Sequence, residues 1–196
     1  MLGIKLQSVS KLTPKFVLIF VLITIVGLLA YQKALDNFFY GDDFPYIFEA
    51  KSIHIIKTNQ LWRNINAIIK PEWFRAEFVY FFMNNLIESI FGTNPFWYHL
   101  HNIALHIVNA ILLLAIIYKL VGSFKISILS SLFFLLNPLH IEAVYWKTGD
   151  HTLYVALFIL ITLWCYAHSF YKLSSLFLFL AMCAKPDASV LLLYII

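Results

Sequence analysis

Long apolar runs without an acidic or basic side chain constrain the fold of this chain more than any other feature. They cover residues 16–32, 95–118, 126–141, 152–171 and 173–184. A helix needs about 20 apolar residues to cross the hydrocarbon core of a bilayer, and backbone polar groups in that core are satisfied only in helices or closed barrels. The runs predict an all-α membrane protein with about five transmembrane helices. Apolar residues resume at Ala188, where a sixth span would start.

The composition supports this class of protein. The chain is 62% hydrophobic and only 12% charged, whereas a soluble domain carries about a quarter charged residues. These values exclude a disordered chain, an ordinary soluble enzyme and a nucleic-acid-binding domain. The net charge of +4 is therefore interpreted as a record of membrane orientation. The interpretation is a single membrane module over residues 1–196, with membrane lipid and no nucleic acid among its partners.

The lysines predict which side of the membrane each loop occupies. Three lysines precede the first run, and three more lie in the links after the second and fourth runs: Lys5, Lys11, Lys15, Lys119, Lys125 and Lys172. By the positive-inside rule these segments and the N-terminus are cytoplasmic. The loop over residues 33–94 and the short loop over 140–151 are then exoplasmic. We expect a multi-pass protein of the bacterial inner membrane or the endoplasmic reticulum.

The long exoplasmic loop has helical periodicity. Residues 44–57 and 78–91 place apolar side chains at near-helical spacing, which is typical of amphipathic helices lying in the membrane interface. The alternative for 78–91 is a short buried span, which Asn84, Asn85 and Glu88 disfavour.

Acidic and histidine residues cluster on the predicted exoplasmic side. Asp42 and Asp43 follow the first span, and a carboxylate there could accept a proton from a hydroxyl or hold a divalent metal. The alternative is a solvated pair that ends the span. The short loop carries four further candidates, which the topology places on the same side and which otherwise serve as separate helix-end anchors: His140, Glu142, Asp150 and His151. After the break at Asn137-Pro138, an extended backbone would put His140 and Glu142 on one side.

Two further sets of polar residues lie within apolar runs. His99, Asn102, His106 and Asn109 form one stripe at helical spacing on the second span. The stripe predicts hydrogen bonds between helices, with His99 and Asn102 close enough to the exoplasmic end to line a site. Lys185 and Asp187 are a second embedded pair, in which Lys185 would attract an anionic phosphate or simply pair with Asp187.

These motifs resemble those of a known family. The quoted residues are the acidic pair, then Trp73-Phe74-Arg75, Phe91-Gly92-Thr93-Asn94-Pro95-Phe96-Trp97-Tyr98-His99, Asn137-Pro138-Leu139-His140-Ile141-Glu142-Ala143-Val144 and Ala184-Lys185-Pro186-Asp187. Over about residues 39–190 the chain resembles the N-terminal half of the membrane module of GT-C type glycosyltransferases. Within that class it is most similar to the group of protein O-mannosyltransferase-like and tetratricopeptide-linked transmembrane O-mannosyltransferases. Asn137 stands where the family has a histidine, and the acid after Lys185 is shifted by one position.

The resemblance implies a function and roles for particular residues. It implies inverting transfer of a sugar from a polyprenyl-phosphate donor to an acceptor on the exoplasmic face, by a chain that is an N-terminal fragment. Asp42 would be the general base, with Asp43 supporting it or exchanging roles with it. Arg75 and Lys185 would hold the donor phosphate. His140 and Glu142 would shape the donor site or bind a metal, so a divalent ion is left open as the one cofactor.

Two alternatives belong to other functional classes. A small-molecule transporter would use the polar stripe as its pathway, but the first and fourth spans are nearly free of polar residues. A non-catalytic scaffold or degenerate family member would explain the hydrophobicity, though not the clustering of acids, histidines and cations on one side.

Overall fold

The computed structural model describes residues 14–44, 47, 78–185 and 188, and these residues form helices without any strand. The described helices are α1 (Pro14–Tyr31), α2 (Phe78–Phe91), α3 (Pro95–Val121), α4 (Phe124–Leu136), α5 (Ile141–Tyr145), α6 (Asp150–Ala167) and α7 (Tyr171–Ala184). Short 3-10 turns cover Gln32–Asp36, Pro138–His140 and Lys147–Gly149. The prediction of an all-helical chain is therefore confirmed for this part of the molecule.

Local sequence signals set the helix ends. The Asn94 side chain accepts a hydrogen bond from Phe96 N at 3.1 Å, and Pro95 occupies the first turn, where it lacks only a donor that would be unpaired. Gly122 ends α3 with a φ of 71°, which glycine adopts without steric cost. Asn137 ends α4, because its side chain accepts the N–H of Leu139 at 3.0 Å.

Within the described residues, three segments are long and apolar enough to cross a membrane: Lys15–Asp36, Pro95–Val121 and Lys147–Ala167. Helix α4 and the segment Pro138–Tyr145 meet at an angle of 47° and would form a fourth span if they cross together. The fifth predicted span, 173–184, lies within α7, an apolar helix of 14 residues. The predicted sixth span and the predicted helix over residues 44–57 lie almost wholly outside the described residues.

The helices pack around α3. Helix α3 lies against α1, α4 and α6, and α7 packs along α6. Ile103, Ala110 and Leu135 are fully buried in the resulting core. Gly27 of α1 allows a close approach to α3, because a Cβ atom there would lie 2.5 Å from the Ile107 side chain. The core thus holds the N-terminal end of α3 against the loop that leads into α6.

The broken end of α4 is stabilised by donors from two other helices. Because Leu139 N–H bonds to Asn137, the carbonyl of Leu135 loses its helical partner. The Tyr31 hydroxyl donates to this carbonyl at 2.7 Å, and His106 Nε2 lies 3.1 Å from it. One buried carbonyl therefore links α1, α3 and α4.

Helix α2 forms over the residues that its periodicity predicts, 78–91. Its polar residues Asn84, Asn85 and Glu88 are buried inside the protein, while Phe82, Ile90 and Phe91 are exposed. The helix is therefore amphipathic, and its polar side packs against α3, α6 and α7.

Candidate functional site

The two adjacent aspartates have opposite environments. Asp42 is exposed, whereas Asp43 is only 1% exposed. One carboxylate oxygen of Asp43, Oδ2, accepts a hydrogen bond from Tyr40 N at 3.0 Å. The other, Oδ1, accepts from Thr148 N at 2.9 Å and from the Thr148 hydroxyl. A loop after α1 is thereby joined to the turn before α6.

A fully buried lysine lies beside this contact. Lys147 Nζ donates to Asp150 Oδ2 at 3.2 Å and to Asn84 Oδ1 of α2. It also lies 4.3 Å from the centre of the Tyr80 ring, a cation–π distance. Both members of the Lys147–Asp150 ion pair are almost completely buried, at 1% and 0% exposure. Such a pair offsets the cost of desolvation only when further hydrogen bonds satisfy its charges.

The predicted exoplasmic end of the polar stripe faces the same turn. Asn102 Nδ2 donates to the carbonyls of Trp146 and Lys147, at 3.1 and 3.3 Å. His99 is 1% exposed, and neither of its ring nitrogens has a hydrogen-bond partner among the residues that the structure describes. Asp43 and Lys147 both act electrostatically on its ring. His99 is thus a buried imidazole under the electrostatic influence of an acid and a base.

His151 also belongs to this cluster. Its ring stacks on Tyr80 with centroids 3.7 Å apart, and its Nδ1 lies 2.7 Å from the carbonyl of Thr148. Asp150 and His151 therefore both lie at the Lys147–Gly149 turn, as their positions in the short loop predict.

A surface cavity of about 340 Å³ opens beside Asp43. Two carboxylates and several aromatic side chains contribute to its wall, which is formed by Asn37, Phe38, Tyr40, Asp43, Glu142, Tyr145 and Trp146. The indole Nε1 of Trp146 donates to the Tyr40 carbonyl at 3.3 Å, which fixes one side of the wall. Carboxylates accept hydrogen bonds from hydroxyl groups, and aromatic rings offer apolar faces. The lining can therefore hold a ligand that has both hydroxyl groups and an apolar face.

The structure separates His140 from Glu142. The predicted extended backbone is wrong, because Pro138–His140 is a 3-10 turn that leads directly into α5. Residues two apart in a helix differ in direction by roughly 200°. Glu142 accordingly lines the cavity with Asp43, whereas His140 packs on His106 and Phe134 and lines a different, largely apolar cavity.

Of the two residues predicted to bind the donor phosphate, Arg75 and Lys185, the structure describes Lys185. Lys185 is exposed directly after α7, and Arg75 and Asp187 lie outside the described residues. Among the residues that the structure describes, no group of three or more His, Cys, Asp or Glu side chains could hold a metal ion. Asp43 and His151 are instead bonded to Thr148, and Asp150 is bonded to Lys147.

Sequence reasoning missed four members of the cluster: Tyr80, Asn84, Lys147 and Thr148. A signal for Lys147 exists, since it lies three residues before Asp150 in the same short loop, a spacing that permits ion pairs. Nothing in the sequence indicates the contact between Thr148 and Asp43, which are separated by 105 positions.

No protein-family model, curated protein or solved structure matches this chain.

Proposed function

We propose that the cavity beside Asp43 and Glu142 is the transfer site of an inverting glycosyltransferase that uses a polyprenyl-phosphate sugar. The observation that carries this proposal is that two carboxylates separated by 99 positions in sequence, 43 and 142, share one cavity wall with aromatic side chains. Motif resemblance supplies the reaction class. The cavity supplies a fixed carboxylate next to a space for a hydroxyl-bearing ligand.

The reaction would proceed in one displacement. An acceptor hydroxyl gives its proton to a carboxylate while its oxygen attacks the anomeric carbon of the donor sugar. The bond from that carbon to the phosphate oxygen breaks, and polyprenyl phosphate leaves with the electron pair. Arg75 and Lys185 would stabilise the charge on the leaving phosphate.

Asp43 is the better candidate for the general base of the two neighbouring aspartates. It lines the cavity, whereas Asp42 is exposed and does not. A carboxylate has about four acceptor positions, and Tyr40 and Thr148 occupy three of them. The hydrogen bonds from described residues leave one position for the acceptor hydroxyl. Among the predicted roles, this favours the exchange in which Asp43 is the base and Asp42 is secondary.

The proposed arrangement in the membrane follows from the same residues. The cavity-lining residues follow α1 or precede α6, and His99 lies near the start of α3, so they share one end of the candidate spans. With a cytoplasmic N-terminus and five spans, that end is exoplasmic, in a bacterial inner membrane or an endoplasmic reticulum.

A transporter is the weaker alternative. A solute pathway along the polar stripe needs side chains that are available to the solute. His106 and Asn109 instead bond to the carbonyls of Leu135 and Leu153, at 3.1 and 3.0 Å.

Sugar transfer in membranes that contain the full chain tests the proposal. The substrate is a labelled polyprenyl-phosphate sugar, and the product is label in the acceptor fraction. Asp43→Asn should lower the transfer rate about 10²–10⁴-fold, the usual effect of losing a positioned general base.

Asp42→Asn is the matched control, because it makes the same chemical change at the neighbouring exposed position. It should leave the rate within about twofold, since surface substitutions away from a site have small effects. Glu142→Gln should weaken donor affinity before it lowers turnover. Normal turnover in Asp43→Asn would refute the assignment, and absence of transfer in the unsubstituted chain would refute the proposed function.

A further inference from the structure

The contacts that hold Asp43 continue through the Lys147–Gly149 turn to helix α2. Thr148 donates its N–H and its hydroxyl to Asp43 Oδ1. The preceding residue, Lys147, donates to Asn84 Oδ1 of α2 and to Asp150 Oδ2 of α6. Two successive residues of one short turn thus bond in different directions, one to the cavity wall and one to the interior.

We propose that Lys147 is a positioning residue: its ammonium group holds the turn against α2 and α6 and thereby fixes the carboxylate of Asp43 in the cavity wall. Lys147 does not line the cavity and is 1% exposed, so it acts through Thr148. This inference deepens the proposed function, on which its catalytic meaning rests. The contacts involved join Lys147 to Asn84 and Asp150, and Thr148 to Asp43.

The charge of Lys147 has a structural cost that an apolar residue would avoid. Removing an ammonium group from water is expensive, and well-packed apolar side chains often replace a buried ion pair without loss of stability. What an apolar side chain cannot do is donate hydrogen bonds in fixed directions to two different helices. The two hydrogen bonds of the ammonium group, to α2 and to α6, therefore indicate that Lys147 aligns the turn.

Close packing and hydrogen bonds restrict movement of the Lys147–Gly149 turn. Gly149 lies so close to α5 that a Cβ atom there would be 2.7 Å from Ala143 Cα. Asn102 holds the turn from a third direction, through the carbonyls of Trp146 and Lys147. The Lys147 side chain connects it to α2, through a hydrogen bond to Asn84 and a contact with the Tyr80 ring. A change at Asn84 should therefore reach Asp43 through the turn.

Carboxylate footprinting of the full chain in detergent micelles tests whether Lys147 fixes the position of Asp43. A water-soluble carbodiimide and an amine label accessible carboxylates, and fragment-ion mass spectrometry separates Asp42 from Asp43. Asp42 and Glu142 are exposed and serve as internal references for labelling, while Asp43 should be protected. Asn84→Leu removes the acceptor for Lys147, and we expect Asp43 labelling to rise about fivefold because its anchoring hydrogen bonds weaken.

Two variants make the result specific. Asn84→Asp keeps an acceptor of the same size for Lys147 and should keep Asp43 protected. Asn109→Leu is the matched control, since Asn109 is also a buried asparagine on a helix but bonds to the Leu153 carbonyl, away from the turn. It should leave Asp43 labelling unchanged. If Asn84→Leu does not fold, Asn84→Ala removes the same acceptor with less bulk and is judged in the same way.

The outcomes separate this inference from the proposed function. Protection of Asp43 in both apolar Asn84 variants, or equal loss of protection in Asn109→Leu, would overturn the positioning role. Footprinting requires no sugar transfer, so a chain without transferase activity refutes the proposed function and leaves the footprinting result standing. Where transfer is measured, Asn84→Leu should lower kcat and leave the KM for the donor unchanged.

Discussion

The two halves of the polar stripe on α3 use the same residue types for different purposes. His106 and Asn109 bond to backbone carbonyls of α4 and α6. Towards the N-terminal end, Asn102 bonds to the turn that holds a buried ion pair, and the charges of Asp43 and Lys147 both act on His99. One half joins neutral groups of neighbouring helices, and the other half supports a charged cluster at the edge of a cavity.

The difference shows how placement along a span changes the role of a polar residue. In the middle of a membrane, a neutral side chain that bonds a carbonyl costs little free energy, whereas a charged side chain is energetically expensive. Near the end of a span, acids and bases can be retained if they satisfy one another. Histidine and asparagine at regular helical spacing therefore do not indicate by themselves which half is functional.

The largest expected effect is the loss of the buried ammonium group in Lys147→Met. Removing one member of a buried ion pair leaves the other charge uncompensated, which costs about 3–5 kcal/mol of stability. Denaturant unfolding in mild micelles measures this. The double variant Lys147→Met with Asp150→Asn should recover much of the loss. Equal destabilisation in the single and double variants would show that the pair is not coupled.

The next effect concerns the close contact between the turn and α5. In Gly149→Ala the new Cβ atom would meet the Ala143 backbone at 2.7–3.0 Å, and forced repacking of this kind costs about 1–3 kcal/mol. Unfolding midpoints report the loss. Gly149→Ala should also unprotect Asp43 in footprinting, and a stable variant with a protected Asp43 would contradict the close approach.

The neutral half of the stripe should respond more weakly. Asn109→Ala removes one interhelical hydrogen bond, worth about 0.6 kcal/mol on average in membrane proteins. The same unfolding assay should register a small loss, without any effect on sugar transfer. A loss of transfer as large as that in Asp43→Asn would erase the distinction between the two halves.

The smallest effect is expected at His140. Because its ring faces a cavity other than the one beside Asp43, His140→Ala should leave the kcat of transfer within about twofold. Kinetic assays of His140→Ala beside Glu142→Gln make the comparison. A strong effect of His140 on turnover would require the two cavities to act together.

Much of the fold could be predicted from residue periodicity. The apolar runs predict the described helices closely, and residues 78–91 form a helix with the predicted bounds. Asn94-Pro95, Gly122 and Asn137-Pro138 mark ends because each satisfies or removes particular backbone groups. Each of these signals depends only on neighbouring residues, so helix ends can be predicted from them without knowledge of the rest of the structure.

The site could be predicted only in part. Topology brings Asp43, Asn102, Glu142 and Asp150 to one end of the bundle, as expected. The contact of Thr148 with Asp43 depends on how the loop after α1 folds over α6, which no local spacing encodes. The separation of His140 from Glu142 depends on whether the chain after Pro138 is extended or helical, since a proline permits both.

The shared carbonyl of Leu135 has a consequence for biogenesis. An unpaired carbonyl in lipid costs several kcal/mol, so the break in α4 is tolerable only where Tyr31 and His106 can donate to it. Both donors lie earlier in the chain than α4 and are synthesised first. When the ribosome delivers the broken helix, its partners already exist, and the order of synthesis matches the order in which the hydrogen bonds are needed.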